Sequence, residues 1–420
     1  MKKFLSILMT AMLLMSLFAV SASAEAVEIT MWIFPLGGDE RAAEERAMYD
    51  SISAAFTEQN PDIKVNIEMV PWDNRETKML TAFGAGQGPD CMYMNPDIMK
   101  LFQTYDVLLP LDEYVSEEHL AGFNQDLLKN GAMIDGKLYG LPCLVDIGVP
   151  LYNLDMMAKA GLTEEDIPTT WDEYDALLGK LKEAGMYGTY FNYSYGPVSD
   201  YSYAMFFSEG CDMVLEDGTV TVDDAAGMKV LNRIVSWYQK GYTPADSLSV
   251  FDDGPAFAEQ RVATFLPAGG SGMLLRYTPN LTFNWAAGPV LSGDAGAYTM
   301  STAASFSVSR NCKNPEAAVK WLEFFTNDEN SAAWNNFAGY VSPRSNAVNT
   351  NADVKGFDIV LNSLGCVRGE VNHACARTMQ SAYRPNLQAM AEGSVSVEDG
   401  VKQLKADIEK LIAELENAGK

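Results

Sequence analysis

Two spacings of apolar residues alternate along the first hundred positions. Val27 to Phe34 reads as a buried strand that stops at Pro35-Leu36-Gly37-Gly38. Met48, Ile52, Ala55 and Phe56 then share one helical face, ended by Asn60-Pro61. Ile63, Val65, Ile67 and Met69 alternate with polar residues, the period of a half-buried strand. Met79, Leu80 and Phe83 suit a second helix running into Gly84-Ala85-Gly86-Gln87-Gly88, and Pro89-Asp90 leads to a strand at Cys91–Met94. Strand, helix, strand, helix, strand is the α/β order that builds a mostly parallel sheet flanked by helices. The glycine-rich turn lacks the Gly-Lys-Ser/Thr ending of a phosphate loop and follows a helix instead of opening one. No nucleotide site is expected there.

The run Asp135–Asn153 breaks this rhythm. Asp135-Gly136 is a turn signal, and the apolar β-formers after it are interrupted by Gly140, Pro142, Gly148 and Pro150. That pattern predicts a bent, extended ribbon leaving one compact unit and entering another. Asp146 is the one charge between Gly140 and Asn153. It either caps a turn, pairs with an arginine, or touches a ligand at the crossing.

Beyond the ribbon the α/β rhythm returns. Thr170 and Glu173 have the spacing of a capping box, and Trp171, Tyr174, Leu177, Leu178 and Leu181 make the buried stripe of the helix it opens. Glu216-Asp217-Gly218-Thr219 marks a hairpin, Val230, Ile234, Trp237 and Tyr238 a helix, and Val262–Leu266 a strand. Asn314-Pro315 is a helix start, a cap followed by proline in the first turn. Val401, Leu404, Ile408, Leu411 and Leu415 recur at steps of three and four, with too few heptads for a coiled coil. That last helix is expected to dock on its own domain.

Composition narrows the class. A chain of 420 residues, 48% hydrophobic, is ample for two cores. Lys2-Lys3, the apolar run Phe4 to Val20 and Ser21-Ala22-Ser23-Ala24 have the layout of a cleaved secretory signal, residues 1–24. No cysteine lies near that site, so no lipid anchor is expected, and no later segment is apolar enough to span a bilayer. The mature protein should be exported and soluble, periplasmic or extracellular. The formal net charge of −26, more negative once Lys2 and Lys3 are removed, argues against nucleic acid or an anionic membrane as partner.

Cys91, Cys143, Cys211, Cys312, Cys366 and Cys375 include no C-x-x-C pair, so zinc ligation is not expected. Cys366 and Cys375 are the only two close in sequence, and a disulfide or two free thiols are both open. His119 and His373 are the only histidines, each expected on a polar helical surface, and no Ser-His-Asp triad can be assembled from pattern alone. The serine in Gly269-Gly270-Ser271-Gly272 lacks the spacing of a nucleophile elbow. No catalytic group, cofactor or metal is predicted.

The order Asp-Gly-Lys-x-Tyr-Gly-x-Pro at 135–142, then Leu151-Tyr152-Asn153 and Thr170-Trp171-Asp172-Glu173, resembles the extracytoplasmic solute-binding proteins of ABC importers. The likeness is to their sugar-binding, maltose-binding-protein-like group. The Ala/Gly-rich segment before Pro89-Asp90 is similar, as are Phe306-Ser307-Val308-Ser309 with Asn314-Pro315-Glu316, and Gly339-Tyr340-Val341-Ser342-Pro343-Arg344. The resemblance implies an α/β, two-lobed periplasmic-binding-protein fold (class II-like) with a ligand cleft between lobes. It implies lobe 1 from 25–143 plus 299–338 and lobe 2 from 148–296 plus 341–420, with crossings near 143–148, 297–303 and 338–343. It also implies that Asp146, six positions before Tyr152-Asn153, contacts the ligand, and that Tyr93, Asn95 and Asp97 face the cleft. Trp32, near the end of the first strand, is implied to border it, and Tyr340 lies in a family-like block.

The aromatic supply agrees with that class. Tyr187, Tyr190, Phe191, Tyr193, Tyr195, Tyr201 and Tyr203 crowd a segment without regular periodicity. Sugar rings pack C–H faces on aromatic faces and need fixed donors and acceptors for their hydroxyls. Tyr193 and Tyr195 are therefore candidates, against ordinary packing of the loop on its own lobe. Trp72 is a further stacking candidate, with core packing weighing more heavily for it than for Trp32. Where sugar-binding relatives often carry a cleft tryptophan, this chain has Leu266-Pro267-Ala268-Gly269-Gly270-Ser271, which leaves exposed backbone N–H groups, at Gly270 and Ser271, to bind hydroxyls or an acidic group.

The expected function is capture of a mono- or oligosaccharide by hinge closure, as a monomer, for delivery to the transmembrane subunits of an ABC permease. An exported carbohydrate-active enzyme, or a carrier of another small polar solute or of iron, is the alternative.

Overall fold

The computed structural model describes residues 26–36, 41–72, 75–196, 201–252, 254–266, 270–369, 371 and 373–418; at 97, 300–302 and 418 it describes the backbone alone. The secretory leader expected at 1–24 lies outside the described residues. The strands that position the site are, in chain order, β1 (Val27–Ile33), β2 (Ile63–Met69), β3 (Cys91–Met94), β4 (Leu141–Ile147), β5 (Leu151–Asn153), β6 (Tyr187–Thr189), β7 (Val262–Phe265), β8 (Trp285–Ala287), β9 (Thr299–Val308) and β10 (Val367–Arg368). The helices used below are α1 (Ala42–Gln59), α2 (Arg75–Gly84), α3 (Pro96–Thr104), α4 (Gln125–Ala132), α5 (Trp171–Glu183), α6 (Ala225–Gln239), α7 (Ser271–Tyr277), α8 (Pro315–Phe325), α9 (Asp328–Ala338) and α10 (Val397–Ala418).

One sheet runs β2–β1–β3–β9, parallel through β1, β2 and β3, with β9 antiparallel to β3. Ile29, Met31 and Ile33 alternate inward along β1 and are fully buried. Aromatic side chains of α1, α8, α9 and β9 cover that sheet: Tyr49, Phe56, Trp321, Phe325, Trp334 and Phe306 belong to its core. The Trp321 indole nitrogen lies 3.1 Å from the Met31 sulfur.

A second sheet runs β8–β5–β7–β6. Only β6 and β7 are parallel; β5 is antiparallel to both β7 and β8. The mostly parallel sheet expected of each lobe thus describes the first sheet, and the second is mixed. Its core holds Trp171, Tyr174 and Leu178 of α5 and Trp237 of α6. The Thr170–Glu173 capping box forms with both reciprocal bonds. Arg233 of α6 is ringed by Asp172, Asp175 and Glu209, so a buried guanidinium is balanced from three sides. Val401, Leu404 and Ile408 of α10 are buried in the same core, the docking expected of that helix.

Three passes of the chain lie side by side between the two sheets. β4 pairs antiparallel with the far edge of β9, from Leu141↔Phe306 to Ile147↔Ser301. Val341 joins the other edge of β4: Val145 N donates to Val341 O at 2.8 Å and Val341 N returns to Val145 O at 3.0 Å. Asn335 Nδ2 donates to Cys143 O at 2.8 Å, and Thr299 Oγ1 to Gly148 O at 2.7 Å. Val145, Ile147, Ala303 and Val341 also share a smaller core with Phe265, Met273 and Trp285 of the second sheet's side. The bent ribbon read from Gly140, Pro142, Gly148 and Pro150 is therefore the first of three adjacent strands.

All six cysteines are free thiols, Cys366 and Cys375 included. His119 sits in a short helix, half-buried, with Nε2 2.9 Å from Thr326 Oγ1. Burial and the nearby Arg344 guanidinium lower its pKa to about 4. His373 lies in a turn, not the helical surface expected.

Candidate functional site

Strand register decides which ribbon residues face one another. Asp146 stands opposite position 302 of β9, and Tyr93 of β3 stands opposite Phe306. Positions 302 and 306 are four apart on one strand, so Asp146 and Tyr93 share a face. Helix α4 covers the other face: a side chain at Gly131 would meet Ala303 O at 2.7 Å, and Ser305 Oγ donates to Gly131 O at 2.8 Å.

The second lobe closes directly on Asp146. Gly270 has φ +72°, and a Cβ there would fall 1.8 Å from Asp146 Oδ1. Only glycine permits both the backbone angle and the approach. Among the described residues, Asp146 Oδ1 is sealed from solvent and has no hydrogen-bond partner. Burial raises the Asp146 pKa to about 8, against the opposing pull of the Ser271 and Gly272 N–H groups and the Arg276 guanidinium.

Arg276, at the end of α7, carries the contact across. Its Nη2 reaches Leu36 O of the first lobe at 3.5 Å. Leu36 N in turn donates to both carboxylate oxygens of Glu45 at 3.1 Å, and Tyr49 OH donates to Glu45 at 2.7 Å. Tyr340 is 7% exposed and lies against the same α7, since a Cβ at Gly272 would meet its ring at 3.1 Å. Burial, with the neighbouring Asp146 charge, raises its pKa.

On the first lobe, Tyr93 belongs to an aromatic group with Phe34 and Trp72. The Phe34–Tyr93 and Trp72–Tyr93 centroids are 5.8 and 6.0 Å apart, and Phe34 and Trp72 stack at 4.8 Å. The buried Arg75 guanidinium lies 4.6 Å over the Trp72 ring. Its neighbour Glu76 makes an ion pair of 2.6 Å with Arg377, whose segment belongs to the second lobe.

The predicted residues divide. Asp146, Gly270, Ser271, Tyr93 and Tyr340 are brought together. Asn95 stands at the N-cap position of α3 beside Tyr93, and its buried Oδ1 has no partner among the described residues. The Asp97 side chain lies outside the described residues. Trp32 does not join the group: its indole donates to Glu68 at 2.9 Å, and Lys78 of α2 covers its ring at 4.8 Å. The ordering of the two tryptophans is reversed, because Trp72 is 37% exposed and stands beside Tyr93. Tyr193 is a second correction. It is fully buried, with its hydroxyl on Ile234 O at 2.6 Å and its ring against Phe191 and Tyr238. Tyr190, Tyr201 and Tyr203 are buried as well, while Tyr195 stays exposed. The tyrosine-rich segment is thus covered mostly by its own lobe.

Arg276, Arg75 and Glu45 were not read from the sequence. A lone arginine after Met273-Leu274-Leu275 was the one available signal. A separate cavity of about 990 Å³ lies between the lobes on the α4 face of the ribbon, lined by Lys129, Asp135, Phe207, Asp212 and Arg368 among others. It includes none of the predicted residues. Among the described residues no cluster of His, Cys, Asp and Glu could hold a metal ion, and no helix is long and apolar enough to cross a membrane.

Two separately cored lobes are joined by three adjacent passes of the chain, and residues of both meet at Asp146. Residues 51–356 match the bacterial extracellular solute-binding protein family. The chain belongs to that family. This solute-binding protein is 27% identical over 369 residues to a Brucella abortus protein named only as a binding protein, covering 83% of this chain and 85% of the relative. It is 24% identical over 354 residues to the maltodextrin-binding protein MdxE of Bacillus subtilis, covering 82% and 78%. It is 24% identical over 331 residues to the galactooligosaccharide-binding protein of the same organism, covering 74% and 72%. Among solved structures, an ABC substrate-binding protein of Listeria monocytogenes in complex with cycloalternan superposes with TM-score 0.79 at 22% identity, over 92% of this chain and 99% of that one. The sugar-binding protein MalE of Xanthomonas citri gives 0.77 at 21%, over 92% and 98%. The two-lobed α/β fold is common to them.

Proposed function

We propose that this protein captures a carbohydrate between its lobes and delivers it, unaltered, to the transmembrane subunits of an ABC permease. It would act as a monomer, in the periplasm or outside the cell. The lobes would be 25–143 plus 299–338 and 148–296 plus 341–420, hinged on the three adjacent strands. The site would be Asp146, Gly270, Ser271, Tyr93, Asn95, Asp97, Tyr195 and Tyr340, with Trp72 in place of Trp32 and without Tyr193.

One observation carries the reading. Asp146 sits on the hinge ribbon with a sealed oxygen that has no partner among the described residues, and Gly270-Ser271 of one lobe and Tyr93 of the other border the same face. A sugar hydroxyl donating to Asp146 while its ring packs on Trp72 or Tyr93 would supply the missing bond. Contacts from both lobes exist together only in the closed form, so the ligand would favour closure by its differential affinity. The names of the maltodextrin- and galactooligosaccharide-binding relatives support a saccharide over other polar solutes.

Calorimetric titration with maltodextrin, galacto-oligosaccharide and arabino-oligosaccharide tests this. Binding of one of them, undiminished by a chelator and with the sugar recovered intact, is the expected result. Binding only in the presence of metal, or hydrolysis of the sugar, would overturn it.

A further inference from the structure

Another cavity, of about 250 Å³, lies beside the hinge strands, on the edge where Val341 pairs with β4. Leu127 of α4, Asn335 of α9, Val341, Val348, Leu361 and Leu364 are among the residues that line it. It includes none of the residues assigned to the saccharide above.

Its walls belong to different halves of the molecule. Residues 343–351 are stapled to the first lobe: Asn124 N donates to Pro343 O and Ser345 N to Gly122 O, both at 2.9 Å. Asn336 of α9 holds the same loop, with Nδ2 donating to Val348 O at 2.8 Å and Oδ1 accepting from Thr350 N at 2.9 Å. The short helix Phe357–Asn362, which supplies Leu361, rides with the second lobe, since Phe357 and Val360 share a core with Phe265, Met273 and Trp285. The space between loop and helix is therefore set by the angle of the hinge.

One polar atom of this lining is left over. Asn335 is 1% exposed, and its Nδ2 donates to Cys143 O of the hinge ribbon and to Ser331 O, both at 2.8 Å. Those two bonds fix which end of the amide is oxygen. The Oδ1 has no hydrogen-bond partner among the described residues. A buried acceptor left bare is costly, so a donor belongs there. One water, whose share of volume is about 30 Å³, would satisfy the oxygen without filling the space. Arg344 is the only charged residue in the lining among the described residues, and Asp328 neutralises it at 2.6 Å. With no net charge to balance, the cavity suits a neutral molecule that donates a hydroxyl on one side and turns C–H faces to Leu127, Val341 and Leu361 on the other. A small polyol has that chemistry.

We propose that this cavity binds a small neutral polyol through Asn335 Oδ1, and that the bound polyol holds the hinge closed. The contact of Gly270 with Asp146 exists in the same structure as the cavity, so a molecule that fits the cavity favours that form over an open one. By linkage, polyol and saccharide raise each other's affinity by the same factor.

The test starts without any oligosaccharide. Erythritol and xylitol are titrated into the full mature protein, with putrescine as a cationic control. Wild type should bind at least one polyol with a Kd below about 10 mM, and putrescine not at all. Ala332→Leu, which grows a side chain from α9 into the cavity, should abolish that binding while keeping the wild-type melting temperature, and Asn335→Leu should abolish it too. Crystals grown with the polyol should show it bonded to Asn335 Oδ1. Scattering should show compaction with saturating polyol alone, and oligosaccharide affinity should then rise by about fivefold or more. Polyol binding that survives Ala332→Leu, a lone water at Asn335, binding at crystal concentration only, or equal binding of putrescine overturns the site. Polyol binding with an unchanged radius of gyration overturns the hold on the hinge. Failure of every oligosaccharide to bind overturns the carbohydrate reading alone, because the polyol titration and scattering decide this site without one.

Discussion

Gly270 and Asp146 touch so closely that the glycine hydrogen occupies the only space a Cβ could take, 1.8 Å from Asp146 Oδ1. One residue belongs to a loop of the second lobe and the other to the hinge ribbon, so their contact records how far the lobes have closed. Gly270→Ala introduces both a clash and a methyl at φ +72°. Saccharide affinity should fall by more than about tenfold, while melting temperature falls by only a few degrees. Wild-type affinity in Gly270→Ala would mean that the contact is not part of the bound form.

Asp146 makes stability depend on pH. Its pKa is raised from 3.8 to about 8, so the unfolded chain releases this proton at lower pH than the folded one. The contribution to stability is therefore fully present below about pH 4 and lost as pH rises through about 8. Asp146→Asn cannot titrate. The difference in melting temperature, wild type minus Asp146→Asn, should fall between pH 5 and about pH 8 in the absence of sugar and level off above that. A flat difference would place the carboxylate in a wetter setting than the closed form gives it.

The Glu76–Arg377 pair, 2.6 Å long with both side chains about one-fifth exposed, ties the lobes at their mouth. Ion pairs of this exposure contribute about 0.2–1 kcal/mol and are screened by salt. Arg377→Gln should weaken sugar binding by about fivefold or less at low ionic strength, and the loss should shrink at 1 M salt. A loss independent of salt would point to packing instead of charge.

Much of the fold was legible because two periods of apolar residues are cleanly separated: β1, β2, β3 and the helices between them follow directly from Val27 to Met94. The ribbon was legible because Pro and Gly interrupt it, and Asp146 because it is the one charge there. The site failed to show where chemistry depends on what a side chain meets from another segment. Trp32 and Trp72 look alike in sequence; only the pairing of β1 with β2 puts Glu68 against the Trp32 indole. The tyrosines of 187–203 have no periodicity because they pack from a loop, and only the position of α6 shows Tyr193 bonded to Ile234. Arg276 was missed since its partner, the Leu36 carbonyl, is 240 residues away.

Those two aromatic corrections separate cleanly in experiment. Tyr193→Phe removes a buried hydrogen bond and should cost about 1 kcal/mol of stability with sugar affinity unchanged. Trp72→Ala should do the reverse, weakening binding by about fivefold or more while the melting temperature holds. Matching losses of fold and affinity in both variants would mean the two residues play one role.

Small-angle scattering of the full mature protein, with and without a saturating saccharide identified by calorimetry, tests the hinge most directly. The account predicts a smaller radius of gyration in the bound form, with Gly270→Ala failing to compact at equal occupancy. Identical scattering of free and saturated wild type would contradict it.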